Sequence, residues 1–191
     1  MSYFSLLRKP CALFVVCVLT ACASAPPAEI PPRPVRESIL GFGLSGRLVV
    51  RQGVKAEAMR VTWEHTPTED AMGFSSSLGM VVAELQRDAS GARWMTAAGE
   101  RFESRSADQL LARITDQPVP INSLALWVLG RVTRGAPVKR DAMGRLLESL
   151  DGSWVVRILA YETELPNALP SSLEVEQGPL RIRLAIEEWA I

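Results

Sequence analysis

The sequence predicts a mainly β protein: an antiparallel sheet of many short strands carrying a few short helices. Three observations predict it. Apolar and polar residues alternate with period two in segment after segment. Turn signals separate those segments at short intervals. Only two stretches depart from the pattern, toward helical spacing.

The strands follow in order. Leu44, Leu48 and Val50 alternate with Ser45, Arg47 and Arg51, and Met59, Val61 and Trp63 alternate with Arg60, Thr62 and Glu64. Val81, Ala83 and Leu85 share one phase, and residues 154–161 form a strongly apolar run. Leu180, Ile182, Leu184 and Ile186 alternate with Arg181, Arg183 and Glu187, the cleanest pattern in the chain. Asp88-Ala89-Ser90-Gly91, Ala98-Gly99, Asp141-Ala142-Met143-Gly144, Asp151-Gly152 and Gln177-Gly178-Pro179 supply the turns. Strands joined by such short links pair antiparallel.

Two helices interrupt the sheet. Ser106-Ala107-Asp108-Gln109 has the form of a capping box, and Leu110, Leu111 and Ile114 then line one face. Pro118 ends that helix. The second, over 122–129, follows Pro118-Val119-Pro120 and stops at Gly130. Leu124, Leu126, Trp127, Val128 and Leu129 make it apolar nearly all round, so it must be buried or face another apolar surface.

The N-terminal region reads as processing signal and tether. Arg8 and Lys9 precede an uncharged apolar run over 11–21, too short to span a bilayer and of the length of a signal-peptide core. Leu19-Thr20-Ala21-Cys22 resembles the bacterial lipobox, which implies cleavage before Cys22 and acylation of that residue. Residues 1–21 are then signal peptide, 22–41 a lipidated N-terminus with a Pro-rich tether, and 42–191 the domain. Ala23 and Ser24 resemble the sorting signal of lipoproteins destined for the outer membrane. Five of the 13 prolines fall within 23–40, which suits either a stiff polyproline-II spacer or a plain linker. Loss of Cys11 and Cys17 with the signal leaves no free thiol for disulfides, thiolate catalysis or metal ligation.

Composition narrows the function. The chain has 191 residues, with 21 Lys+Arg against 21 Asp+Glu, which argues against a nucleic-acid binder. Removal of Arg8 and Lys9 leaves 19 against 21. Gly41-Phe42-Gly43-Leu44-Ser45-Gly46 matches a dinucleotide fingerprint in letters, but a strand follows it where a helix is required. His65, the single histidine, reads as a surface residue in a polar turn, and Glu187 and Glu188 as a solvated face. No metal site, cofactor or catalytic residue is expected, and the protein reads as no enzyme.

Four stretches resemble the outer-membrane lipoprotein receptor family LolB. They are Ser75-Ser76-Ser77-Leu78-Gly79; Gly99-Glu100-Arg101-Phe102; Pro118-Val119-Pro120-Ile121-Asn122-Ser123-Leu124 with Trp127-Val128-Leu129-Gly130; and Leu169-Pro170 through Leu173, with Arg181-Ile182-Arg183-Leu184 and Trp189. Ser77 stands where the family has proline, and the region before Gly43 is shorter than the family's N-terminal helix, leaving 35–40 as a helical stub. The resemblance implies an incompletely closed antiparallel β-barrel of about eleven strands, with helices covering an apolar cavity. It implies a monomer anchored in the outer membrane, facing the periplasm. Its partners would be a LolA-like periplasmic carrier, acylated lipoproteins and outer-membrane lipid. Trp63, Leu124, Trp127, Val128, Ile182 and Leu184 are the expected cavity residues. Leu78, alone on a polar loop, is the expected membrane-contact residue for lipid release. Two other readings stay open. A different lipid-anchored carrier or assembly scaffold would have no need of Leu78, and a lipid-anchored hydrolase would need a nucleophile or paired carboxylates.

Overall fold

A computed structural model of the chain describes residues 33–191. The signal peptide, Cys22 and most of the expected tether lie outside the described residues. These residues belong to one compact unit that begins at Pro32.

The period-two segments become strands. In chain order they are β1 (Phe42–Gln52), β2 (Lys55–His65), β3 (Asp70–Ser75), β4 (Val81–Asp88), β5 (Gly91–Thr96), β6 (Arg101–Ser104), β7 (Val138–Arg140), β8 (Leu146–Asp151), β9 (Trp154–Tyr161), β10 (Pro170–Gln177) and β11 (Leu180–Ala190). Two helices, α1 (Ala107–Thr115) and α2 (Ile121–Val128), stand between β6 and β7. The strands form one antiparallel sheet ordered β6-β5-β4-β3-β2-β1-β11-β10-β9-β8-β7. β6 and β7 are its two edges and do not pair, so the barrel is open. The longest ladders, β1 with β2 and β1 with β11, sit at the centre.

Alternation determines which face is inside. Along β11, Leu180, Ile182, Leu184 and Ile186 are all buried and the residues between them exposed. Outward-pointing charges pair across the sheet: Arg47 and Arg60 both reach Glu187, and Arg157 and Arg181 both reach Glu176. Such exposed pairs contribute little stability, but they mark the solvent face. The Gly-rich run at 41–46 lies within or beside β1. A Cβ on Gly46 would fall 2.2 Å from the Ala185 carbonyl oxygen, beside the bulge where β1 meets β11. Close backbone approach explains that glycine.

Three expectations change. Val81 is 57% exposed, although Ala83 and Leu85 on its phase are buried. The pairing of β3 with β4 shifts at Ser75, so Val81 lies opposite Ser75 and leaves the inward phase. His65 is no surface residue: it ends β2, its side chain is 11% exposed, and its Nδ1 lies 2.7 Å from Asp70 Oδ1. The expected tether is also partly domain. Arg33 holds Glu162 through both its Nε and Nη2, Arg36 donates to the Ala168 carbonyl, and Ile39 joins the core. The stub forms a single 3-10 turn, Arg36–Ser38. Packing thus begins near residue 33, ahead of the boundary expected at 42, because two arginines and one isoleucine find partners on the loop between β9 and β10 and in the core.

Candidate functional site

α1 starts where the capping signal places it. Ser106 Oγ accepts from the Gln109 amide at 3.4 Å, while the Ser106 amide donates to Ser104 Oγ in place of the return bond of the box. Asp108 then projects from α1 and accepts the Ile121 amide at 3.0 Å, supplying an N-terminal cap for α2 that Pro120 itself lacks. At the other end of α2, Gly130 is left-handed at φ +69°, and the Arg131 amide bonds back to the Leu126 carbonyl. This is a Schellman stop. Trp127 Nε1 donates to Asp151 Oδ2 at 2.7 Å, which ties α2 to the turn between β8 and β9.

The two helices and the concave face of the sheet enclose an apolar cavity of about 650 Å³. That lies within the range of small-ligand sites, roughly 300–1,000 Å³. Its walls come from β1 to β5, β10, β11 and the facing sides of the helices. Gln52, Val54 and Glu57 of the β1–β2 hairpin and Ile114 and Asp116 at the end of α1 form part of its lining.

Of the residues expected in the cavity, Trp63, Leu124, Ile182 and Leu184 line it. Trp127 and Val128 do not. Trp127 is 1% exposed and packs on Trp154, with ring centroids 5.6 Å apart, and Val128 is fully buried. The cause is the all-round apolar character of α2. Its first turns, Ile121 and Leu124, meet the cavity, while its last turn fills the β8–β9 side of the half-barrel. Sequence reasoning also passed over Leu48, Val50 and Met59, which line the cavity. Their period-two phase was legible, but a phase marks an inward face without telling core from chamber.

Trp63 is held by a buried polar cluster at the far ends of β2, β3 and β4. The side chain of Asp70 has no exposure. It accepts from Trp63 Nε1 at 2.8 Å, lies against His65 Nδ1, and pairs with Arg87 Nε. Burial pushes its carboxyl up, but the hydrogen bonds from His65, Trp63 and Arg87, with the Arg87 charge, outweigh that and hold it below the usual carboxylate range.

Leu78 occupies the β3–β4 turn and is 84% exposed. The turn is closed by hydrogen bonds from Ser76 N to the Met80 carbonyl and from Gly79 N to the Ser76 carbonyl. Leu78 thus stays on the surface and does not fold onto the sheet. Met80, Val81 and Val82 after it are also exposed.

An open antiparallel half-barrel with helices over an apolar chamber defines the class of this protein. The comparisons with known proteins give the particular family. A family model for outer membrane lipoprotein LolB matches residues 41–189. The chain is 35% identical over 183 residues to the outer-membrane lipoprotein LolB of Dechloromonas aromatica (strain RCB), across 93% of this chain and 94% of that one. It is 33% identical over 175 residues to that of Azoarcus sp. (strain BH72), across 91% and 90%. A solved structure of a LolA superfamily protein from Nitrosomonas europaea overlaps 78% of this chain and 86% of that one, at 8% identity and a TM-score of 0.46. The chain belongs to the outer-membrane lipoprotein LolB family.

Proposed function

We propose that the protein is a lipid-anchored outer-membrane receptor. It takes acylated lipoproteins from a LolA-like periplasmic carrier into its cavity and releases them into the outer membrane. Family membership supports a role in outer-membrane lipoprotein localisation. The observation that carries the finer reading is the apolar cavity of about 650 Å³, whose lining reaches the β1–β2 turn at the same end of the sheet as the exposed Leu78 turn.

The physical argument is one of desolvation. Exposing a single sixteen-carbon acyl chain to water costs on the order of 10 kcal/mol. Transfer therefore needs a receiving chamber in place before the chain leaves the carrier, and a membrane in place before it leaves the chamber. Trp63, Leu124, Ile182 and Leu184 offer acyl chains a low-polarity lining. Leu78 engages the bilayer and couples contact to release. Cys22, once acylated and cleaved, holds the monomeric domain on the periplasmic side of the outer membrane.

The compact unit 32–191 contains no cysteine and tests the reading directly. Mixed with a loaded carrier, it should strip the lipoprotein and pass it to vesicles. The Leu78→Glu variant should strip as well as the parent and fail to deliver. Loss of stripping in that variant, or unchanged delivery, would remove Leu78 from its assigned role. A folded parent domain that never strips the carrier would remove the receptor reading itself.

A further inference from the structure

The β1–β2 hairpin ends in an apolar side chain that lies in solvent. Val54 is 102% exposed, the most exposed of the large apolar residues among the described residues, and it occupies a tight turn after left-handed Gly53 at φ +57°. A β-branched residue at such a tip gains nothing from packing, and polar turn formers serve the geometry better. The tip is nevertheless held in place, because the Gly53 amide donates to the Pro179 carbonyl at 3.1 Å in the neighbouring β10–β11 turn.

Register places this tip with Leu78. β2 pairs with β3 only from Arg60, opposite Ser75, to His65, so residues 55–59 project beyond the end of β3. The β3–β4 turn leaves Ser75 in the same direction. From strand spacing, the two tips are offset by about 10 Å laterally, and the β1–β2 tip reaches further along the strand direction by the overhang of residues 55–59 less the height of the β3–β4 turn. Arg51 and Lys55 are the charges nearest the tip and both are exposed; the first carboxylate, Glu57, lies two residues beyond Lys55. Val54 and Lys55 also line the cavity.

We infer that Val54, flanked by Arg51 and Lys55, is a second membrane-contact point. It seats on an anionic phospholipid surface together with the Leu78 turn and presents the cavity mouth to the bilayer. Two convex apolar tips with basic flanks suit a deformable lipid phase, into which apolar groups sink while cations meet phosphates. One contact leaves the domain free to pivot in every direction; two leave only rotation about the line that joins them. This inference rests on the proposed role of Leu78 at the membrane.

The test uses the 32–191 unit with a single cysteine placed at 54, 78 or 143 and labelled with an environment-sensitive fluorophore. Vesicles of phosphatidylethanolamine and phosphatidylglycerol are the probe. Labels at 54 and 78 should shift to the blue, while the label at Met143, on the β7–β8 turn at the opposite end, stays aqueous. Val54→Glu should weaken binding of the unloaded domain to these vesicles roughly tenfold. Because Val54 lies in solvent at a hairpin tip, a folding defect is not expected, and circular dichroism of the variant checks this. A label that embeds at 78 and stays aqueous at 54 overturns this inference alone. Labels aqueous at both positions overturn the membrane role of Leu78 as well. A label at 54 that responds to the carrier and not to vesicles shows a protein-docking tip and overturns the lipid assignment.

Discussion

Asp70 joins three strands through one carboxylate, and that makes it the residue on which acid should act. It is ionised, buried and paired with Arg87, whose Nη2 has no hydrogen-bond partner. A carboxyl held below its ordinary value of 3.8 contributes stability that is fully present above that pH and is lost as pH falls through the folded-state value. Urea unfolding between pH 6 and 2 should therefore show an acid-side loss that Asp70→Asn lacks. At neutral pH the same variant should be less stable by about 3–5 kcal/mol, since it strands the Arg87 guanidinium. Equal acid sensitivity in both proteins would refute this. The cluster also shows why His65 was misread from sequence. Its polar neighbours along the chain are real, but its partner on β3 is brought in by strand pairing, which composition does not reveal. Leu78 is the converse case: its isolation in a serine-rich turn is a local property and was legible at once.

At the scale of elements, α2 is the piece whose position depends on everything around it. Its N-terminus is capped from α1 by Asp108, its indole is tied to Asp151, and its end is turned by Gly130. A Cβ at Gly130 would lie 3.3 Å from Tyr161 Oη and 3.4 Å from Pro170 Cγ. Gly130→Ala should cost about 1–2 kcal/mol through the left-handed backbone alone, seen as a lowered denaturation midpoint at unchanged m-value. Trp127→Phe removes the hydrogen bond to Asp151 and part of a fully buried ring packed on Trp154, and should cost about 2–4 kcal/mol while leaving acyl-chain uptake intact. A large loss of uptake with a preserved fold would return Trp127 to the cavity wall. The strands, by contrast, depended little on context. Their period-two phases predicted the inward faces of β1, β2 and β11, and the single failure, Val81, falls at an irregular pairing that no one-strand pattern contains.

For the whole molecule the decisive quantity is empty apolar volume. Leu48 is half-buried and lines the cavity from β1. Leu48→Trp should occupy part of the chamber and lower acyl-chain uptake several-fold. Leu150→Trp, on an exposed position of β8, should leave uptake unchanged. Binding of a fluorescent fatty acid to the 32–191 unit measures both. If the two variants behaved alike, the cavity would not be where acyl chains bind.

Local order explains what the sequence by itself determined: the antiparallel class, most strand faces, the N-cap of α1, the glycine stop of α2, and the exposed leucine. Each follows from neighbours one to four residues apart, where backbone geometry and water act directly. The resemblance to a known family added the open barrel and its eleven strands. Only the tertiary structure decided that the face shared by Trp63, Leu124, Ile182 and Leu184 surrounds a chamber while Trp127 and Val128 fill solid core. It also decided that residues from Arg33 onward dock on the domain. An apolar side chain leaves water equally well for a packed neighbour or a cavity, so burial alone cannot separate the two. What separates them is whether a helix end or an open space lies opposite, and that is a property of the assembled fold.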